Sequence, residues 1–222
     1  MDYSLRRMQR KTVGIYITKE GVVEVRAPHN VPKTEIDRFV REKGQWIKTQ
    51  QAKVRERLQA REAYTLRPGG TLLFLGREYP VEQALTNTVS FDGKRFLLPD
   101  APEEALRDAL AGIYRQSAQN LLPKAVERLA PLVGRRPAQT RVTSAKTRWG
   151  SCSGKGGLNF SWRLMFASPE VIDYVVVHEL AHLIEFNHSP RFWALVESVL
   201  PDWRDRRQAL TALQEMLLRQ GW

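Results

Sequence analysis

A chain of 222 residues with 42% hydrophobic and 9% aromatic residues carries enough apolar material for a core, which excludes a disordered chain. Its length bounds it to one large domain or two small ones. Charge is lopsided, with 35 Lys and Arg against 24 Asp and Glu and a net of +11, which favours acidic partners. The single cysteine, Cys152, excludes a disulfide framework and a Cys-rich zinc finger.

Residues 1–100 read as a β-rich region with one helix. Val13–Ile17 and Val22–Ala27 are β-rich runs separated by a turn, the pattern of a hairpin. Thr34 then caps a helix reaching about Ala63, with Ile36, Phe39, Val40 and Ile47 at helical spacing and a charged, solvated second half. After Pro68-Gly69-Gly70, strands are expected around Leu72–Leu75, Tyr79–Gln83, Thr88–Phe91 and Arg95–Leu98, with Asp92-Gly93 as a turn. The segment Pro99 to Pro102 marks the expected boundary to a second domain, residues 101–222.

There the chain turns helical. Apolar spacing from Leu106 to Leu122 predicts a helix from Glu103 to about Leu129, bent at Pro123. Strands at Thr140–Ser144 and Gly157–Trp162 should flank a Gly/Ser-rich turn, Gly150 to Gly157. Ser168-Pro169-Glu170 opens a helix running to about Glu185, and two more fit Pro190–Val199 and Asp202–Arg219. No apolar run approaches the roughly 18 residues of a membrane span, and no signal-peptide segment is visible, so no membrane partner and a cytoplasmic location are expected.

His178-Glu179-Leu180-Ala181-His182 is an H-E-x-x-H pattern within one of these helices. Residues four apart share a helix face, so both imidazoles reach one metal ion. Glu179 projects about 100° round the axis and flanks the ion without ligating it, where a general base stands. His188 supplies a third ligand, leaving one tetrahedral position open, as catalytic zinc sites do. Asn187 suits a left-handed turn folding the chain back after the helix. Glu197 is a competing carboxylate, and Asp173 reads as a solvated first-turn acid. The spacing of the three histidines also equals that of metzincin peptidases, but Glu185 stands where those have glycine and Met216 lies in a late helix.

Charge is concentrated near this helix. Arg128 to Pro169 spans 42 residues with eight Lys or Arg and no Asp or Glu. Arg148, Arg141 and Lys146 are the candidate substrate-binding residues, with Arg148 as first candidate for a second electrophile and Tyr174 as second. Trp149, Phe160, Trp162, Phe166, Phe192 and Trp193 read as core, and Cys152 as a buried, inert thiol.

Arg148-Trp149-Gly150-Ser151-Cys152-Ser153, Leu158-Asn159, Ile172 to Val176, His178-Glu179-Leu180, His182-Leu183, and Asn187-His188-Ser189 with Phe192-Trp193 together resemble the YgjP-like metal-dependent hydrolases, related to the SprT zinc peptidases. The resemblance is dense from Arg141 to Arg207. It implies an α+β fold with a zincin-like catalytic region, a Zn2+ cofactor held by His178, His182 and His188, and Glu179 as base. Members of that family carry both peptidase and nucleotide pyrophosphatase labels. The expected function is therefore a zinc metallopeptidase acting on a peptide or protein. The alternatives are a nucleoside triphosphate pyrophosphatase using the same site, and a nucleic-acid-associated protein with a structural metal. Contact with nucleic acid or nucleotide phosphates would be electrostatic, since Gly154-Lys155-Gly156-Gly157 is too short for a P-loop.

Overall fold

The computed structural model describes residues 2–222 as an α+β protein built of two compact units. Of the described residues, the first comprises 2–64 with 217–222, and the second 65–216.

In the first unit, β3 (Val23–Ala27) is the central strand, parallel to β1 (Ser4–Arg7) and antiparallel to β2 (Gly14–Ile17). Its alternation places Val23, Val25 and Ala27 inward and Glu24 and Arg26 outward, the period-two pattern of a half-buried strand. Ile36 and Val40 of α1 (Lys33–Glu42) and Ile47 of α2 (Gly44–Ala63) complete this core. The hairpin expected from the sequence is present. The single expected helix is instead two, broken at Lys43. Among its described residues α2 buries only Ile47, so its charged length is solvated as expected.

The second unit begins with a four-stranded sheet in the order β4 (Thr71–Phe74), β5 (Arg77–Gln83), β7 (Phe96–Leu98), β6 (Ser90–Phe91). Leu75 and Gly76 join β4 to β5 with φ of 50° and 74°, the two positive values that a type I′ hairpin turn requires. Asp92 forms the expected turn by accepting from the backbone N–H of Lys94 and Arg95 at 2.8 and 2.9 Å.

The long helix α3 (Glu103–Val133) buries Leu106, Leu110, Tyr114, Ala118, Leu122, Val126 and Ala130, a stripe at every fourth residue. It continues past Pro123 and Pro131 and stops at Gly134, whose φ of 83° gives a left-handed cap. The Tyr114 hydroxyl donates to the Leu73 carbonyl at 2.8 Å, and its ring packs on Phe74 and Phe96. This packing corrects the expected boundary. Pro99–Pro102 is a connection inside the second unit, because the apolar faces of β4–β7 are covered by α3, and the division falls at Tyr64 and Thr65.

A three-stranded sheet follows in the order β8 (Gln139–Thr143), β10 (Gly157–Ser161), β9 (Gly150–Cys152). Strand β10 runs parallel to β8 and antiparallel to β9. The first residues of the expected Gly/Ser-rich turn are thus a strand. A buried 3-10 turn, Trp162–Phe166, leads to α4 (Pro169–Ala181), α5 (Pro190–Val199) and α6 (Trp203–Gln220). No helix among the described residues is long and apolar enough to cross a membrane.

Candidate metal centre

Helix α4 is apolar nearly all round, burying Val171, Ile172, Tyr174 to Val177 and Leu180, as a helix at the centre of its unit must be. Pro169 at its first position and Glu170 in its first turn suit a helix start. It ends earlier than the sequence suggested, at Ala181 with His182 as cap. Its last turn tightens, with Leu183 and Ile184 donating to the carbonyls of Leu180 and Ala181 at 3.0 Å. Asn187 is not left-handed, since Leu75 is the one described non-glycine residue with positive φ. The chain folds back instead through a tight turn in which Ser189 N–H donates to Asn187 O at 2.7 Å, and the Ser189 hydroxyl then caps α5 by accepting from Phe192 N–H.

This path brings His178, His182 and His188 together. One ligand atom from each lies within 4.8 Å of the others. Ring centroids are 4.9 Å apart for His178–His182 and His178–His188, and 4.7 Å for His182–His188. The fully buried ring of Phe192 lies under all three, 4.6 to 4.9 Å from each centroid. Trp193 stacks on His188 at 5.6 Å and on Trp203 at 4.2 Å.

Three observations fit a cation at this cluster. His178 Nε2 and His188 Nε2 face each other at 3.0 Å, a separation at which a proton or a metal ion must sit between the two nitrogens. His182 Nδ1 lies 3.0 Å from the Glu185 carbonyl, which only accepts, so Nδ1 carries the proton and Nε2 is left as the ligand. Burial, then the neighbouring imidazoles and Arg207, push His178 down to about 3, keeping it neutral and able to coordinate.

Glu179 is 6% exposed beside the cluster. Burial raises its carboxyl to about 7, opposed by the positive charge of Arg148. A Cβ added at Gly150 would stand 2.6 Å from both Cγ and Oε1 of Glu179, so the bare glycine of β9 is what leaves room for this side chain.

The remaining candidates divide. Arg148 is near enough for its charge to act on Glu179, and it borders a cleft with Gly150 and Asn159. Arg141 and Lys146 lie exposed on β8 and the loop after it, and no hydrogen bond or ion pair joins either to the histidines among the described residues. Tyr174 packs edge-on to His178 at 5.9 Å. Cys152 is outside the ligand cluster, and burial, then the Glu179 charge, keep its thiol protonated. Glu197 is paired with Arg204 at 2.6 Å. Asp173 is not merely solvated, since it pairs with Arg128 at 2.6 Å and ties α4 to α3.

Residue-by-residue reading missed Arg207, which lies 5.5 Å above the Trp193 ring and whose charge reaches His178, His188 and Tyr174. It stands 19 residues after His188 on another helix, a separation that carries no signal in spacing. The structural role of Gly150 was equally silent.

A profile of the YgjP-like family, described as a YgjP-like metallopeptidase domain, matches residues 11–213. The chain belongs to the YgjP-like family. It is thereby a metal-dependent hydrolase, and the three-histidine cluster is its candidate metal centre. Among solved structures, this YgjP-like chain is similar to the metallopeptidase zymogen of Pyrococcus abyssi abylysin. The match has 26% identity, covers 42% of this chain and 96% of that one, and has a TM-score of 0.39. No curated protein matches the chain.

Proposed function

We propose that this protein is a zinc metallopeptidase in which His178, His182 and His188 hold the ion and Glu179 is the general base. The observation that carries the reading is the convergence of three imidazoles beside a buried carboxyl. When bound, zinc supplies Lewis acidity toward the attacking water and the scissile carbonyl. Imidazole donors alone suit zinc, while also accepting iron, cobalt or nickel.

Glu179 takes a proton from the attacking water and returns it to the leaving amine. Burial raises this carboxyl to about 7 in the metal-free protein, and a bound cation would favour its charged form, the form that accepts the proton. Phe192 fixes the imidazoles from below, and the His182–Glu185 contact fixes one ring's tautomer. Arg148, whose charge acts on Glu179, would meet negative charge developing on the substrate.

Peptide is favoured over nucleotide by β9. It pairs with β10 along one edge, and no strand covers the other among the described residues. A peptide main chain can add to such an edge through its own N–H and C=O groups, next to Glu179. The turn containing Gly154-Lys155-Gly156 is a hairpin connection and not a phosphate loop.

Peptide libraries and nucleoside triphosphates offered to the zinc-loaded parent and to Glu179→Gln test the reading. Peptide cleavage should fall by about 10²–10⁴-fold in the variant at unchanged zinc content. Equal cleavage by both proteins would remove Glu179 from the mechanism, and Glu179-dependent pyrophosphate release without peptide cleavage would transfer the site to nucleotides.

A further inference from the structure

The turn between β9 and β10 borders a cavity of about 450 Å³ that the hydrolytic reading leaves without a role. Three cations line it, Arg135 and Arg136 from the segment after α3 and Lys155 from the turn, and no carboxylate does. None of the three side chains is engaged in an ion pair or hydrogen bond among the described residues. In contrast, Arg128, a few residues earlier, is paired with Asp173.

The walls are built. Gly156 N–H donates to Ser153 O at 2.8 Å and Gly157 N–H to the Ser153 hydroxyl at 3.0 Å. Ala138 N–H donates to Gly156 O at 2.9 Å, which ties the segment carrying Arg135 and Arg136 to the turn. Leu183 and Phe186 supply an apolar side, with Phe186 70% exposed. A cavity with cations spared from pairing beside an apolar wall suits a side chain with an aliphatic stem and an anionic tip.

Its position relates it to the metal centre. Leu183 directly follows His182, and Cys152, another lining residue, ends the strand whose first residue, Gly150, abuts Glu179. At roughly 3.3 Å per residue of strand, the cavity lies about 7 Å along β9 from the general base. We propose that it is a subsite for an acidic side chain of the peptide substrate, two or three residues from the bond cleaved. This rests on the peptidase reading and names the substrate class that reading leaves open.

The test measures binding, so that it does not depend on turnover. Dye-labelled Ala/Gly hexapeptides, blocked at both ends and carrying one Glu or one Gln at each internal position in turn, are titrated against zinc-loaded Glu179→Gln by fluorescence anisotropy. At one position Glu should bind about ten-fold tighter than Gln, with a preference that shrinks as salt is raised. In the same background, Arg135→Gln, Arg136→Gln and Lys155→Gln together should bring the ratio close to one. Lys155→Glu alone, on an exposed turn, should lower it and improve binding of an added hexapeptide with Lys at that position. No position preferring Glu, or a preference surviving the triple substitution, would overturn the subsite. Failure of the peptidase reading is distinct, since the parent would then cleave neither neutral nor acidic peptides in a Glu179-dependent way.

Discussion

Glu179 and His178 are neighbours in sequence whose protons burial drives in opposite directions, the acid raised to about 7 and the imidazole lowered to about 3. In the metal-free protein Glu179 holds, when folded, a proton that the unfolded chain releases near its ordinary 4.5. That contribution to stability is full below about 4.5 and is lost as pH rises toward 7. His178 works the other way, contributing above its ordinary 6.5 and losing the contribution as pH falls toward about 3. Comparing metal-free parent with Glu179→Gln cancels the histidine. The variant should gain stability relative to the parent from pH 4.5 to 7, by about 3 kcal/mol in all. Urea unfolding at several pH values checks this, and a pH-independent difference would show that the carboxyl is not buried as described. Gly150 gives a second prediction at this scale. Gly150→Ala places a methyl 2.6 Å from the Glu179 side chain, so the carboxyl must move. Peptide cleavage should fall roughly 100-fold with zinc content unchanged. Undiminished cleavage would show that the placement of the carboxyl against β9 is not needed.

Among the elements, the sequence made α4 legible because an H-E-x-x-H pattern needs a helix and the apolar run Val171–Val177 supplies one. Helix α3 runs past its expected end near Leu129 to Val133, where Gly134 caps it, whereas the hairpin of β2 and β3 follows from local chemistry. Strand β1 did not, because Ser4-Leu5-Arg6-Arg7 offers one apolar residue and is a strand only through pairing with β3. Strand β9 was hidden within a Gly/Ser-rich stretch for the same reason, since its partner Leu158–Phe160 confers its conformation. The turn after α4 was misjudged at Asn187, where tightened hydrogen bonds do what a left-handed residue was expected to do. The convergence of the three histidines was legible in the sequence, but the groups packed on them were not. Phe192 read as plain core and is the floor of the three imidazoles, and Arg207 reached the site only through the packing of α6.

At the scale of the whole molecule, the boundary expected near residue 100 was displaced because an apolar sheet face is covered by whichever helix packs on it, and α3 packs on β4–β7. The second unit buries an extensive apolar core that includes most of α4, a core large enough to hold the fold without a metal. Chelation should therefore abolish hydrolysis and lower the thermal midpoint while leaving a cooperative unfolding transition and the far-ultraviolet dichroism of the folded chain. Loss of that transition on chelation would mean that the ion organises the fold. The most direct test of the metal centre is a crystal structure of the zinc-loaded protein with anomalous scattering recorded at the zinc edge. One peak is expected, in contact with His178, His182 and His188 and with an open position facing Glu179. A peak elsewhere, or a fourth protein ligand closing that position, would contradict the account.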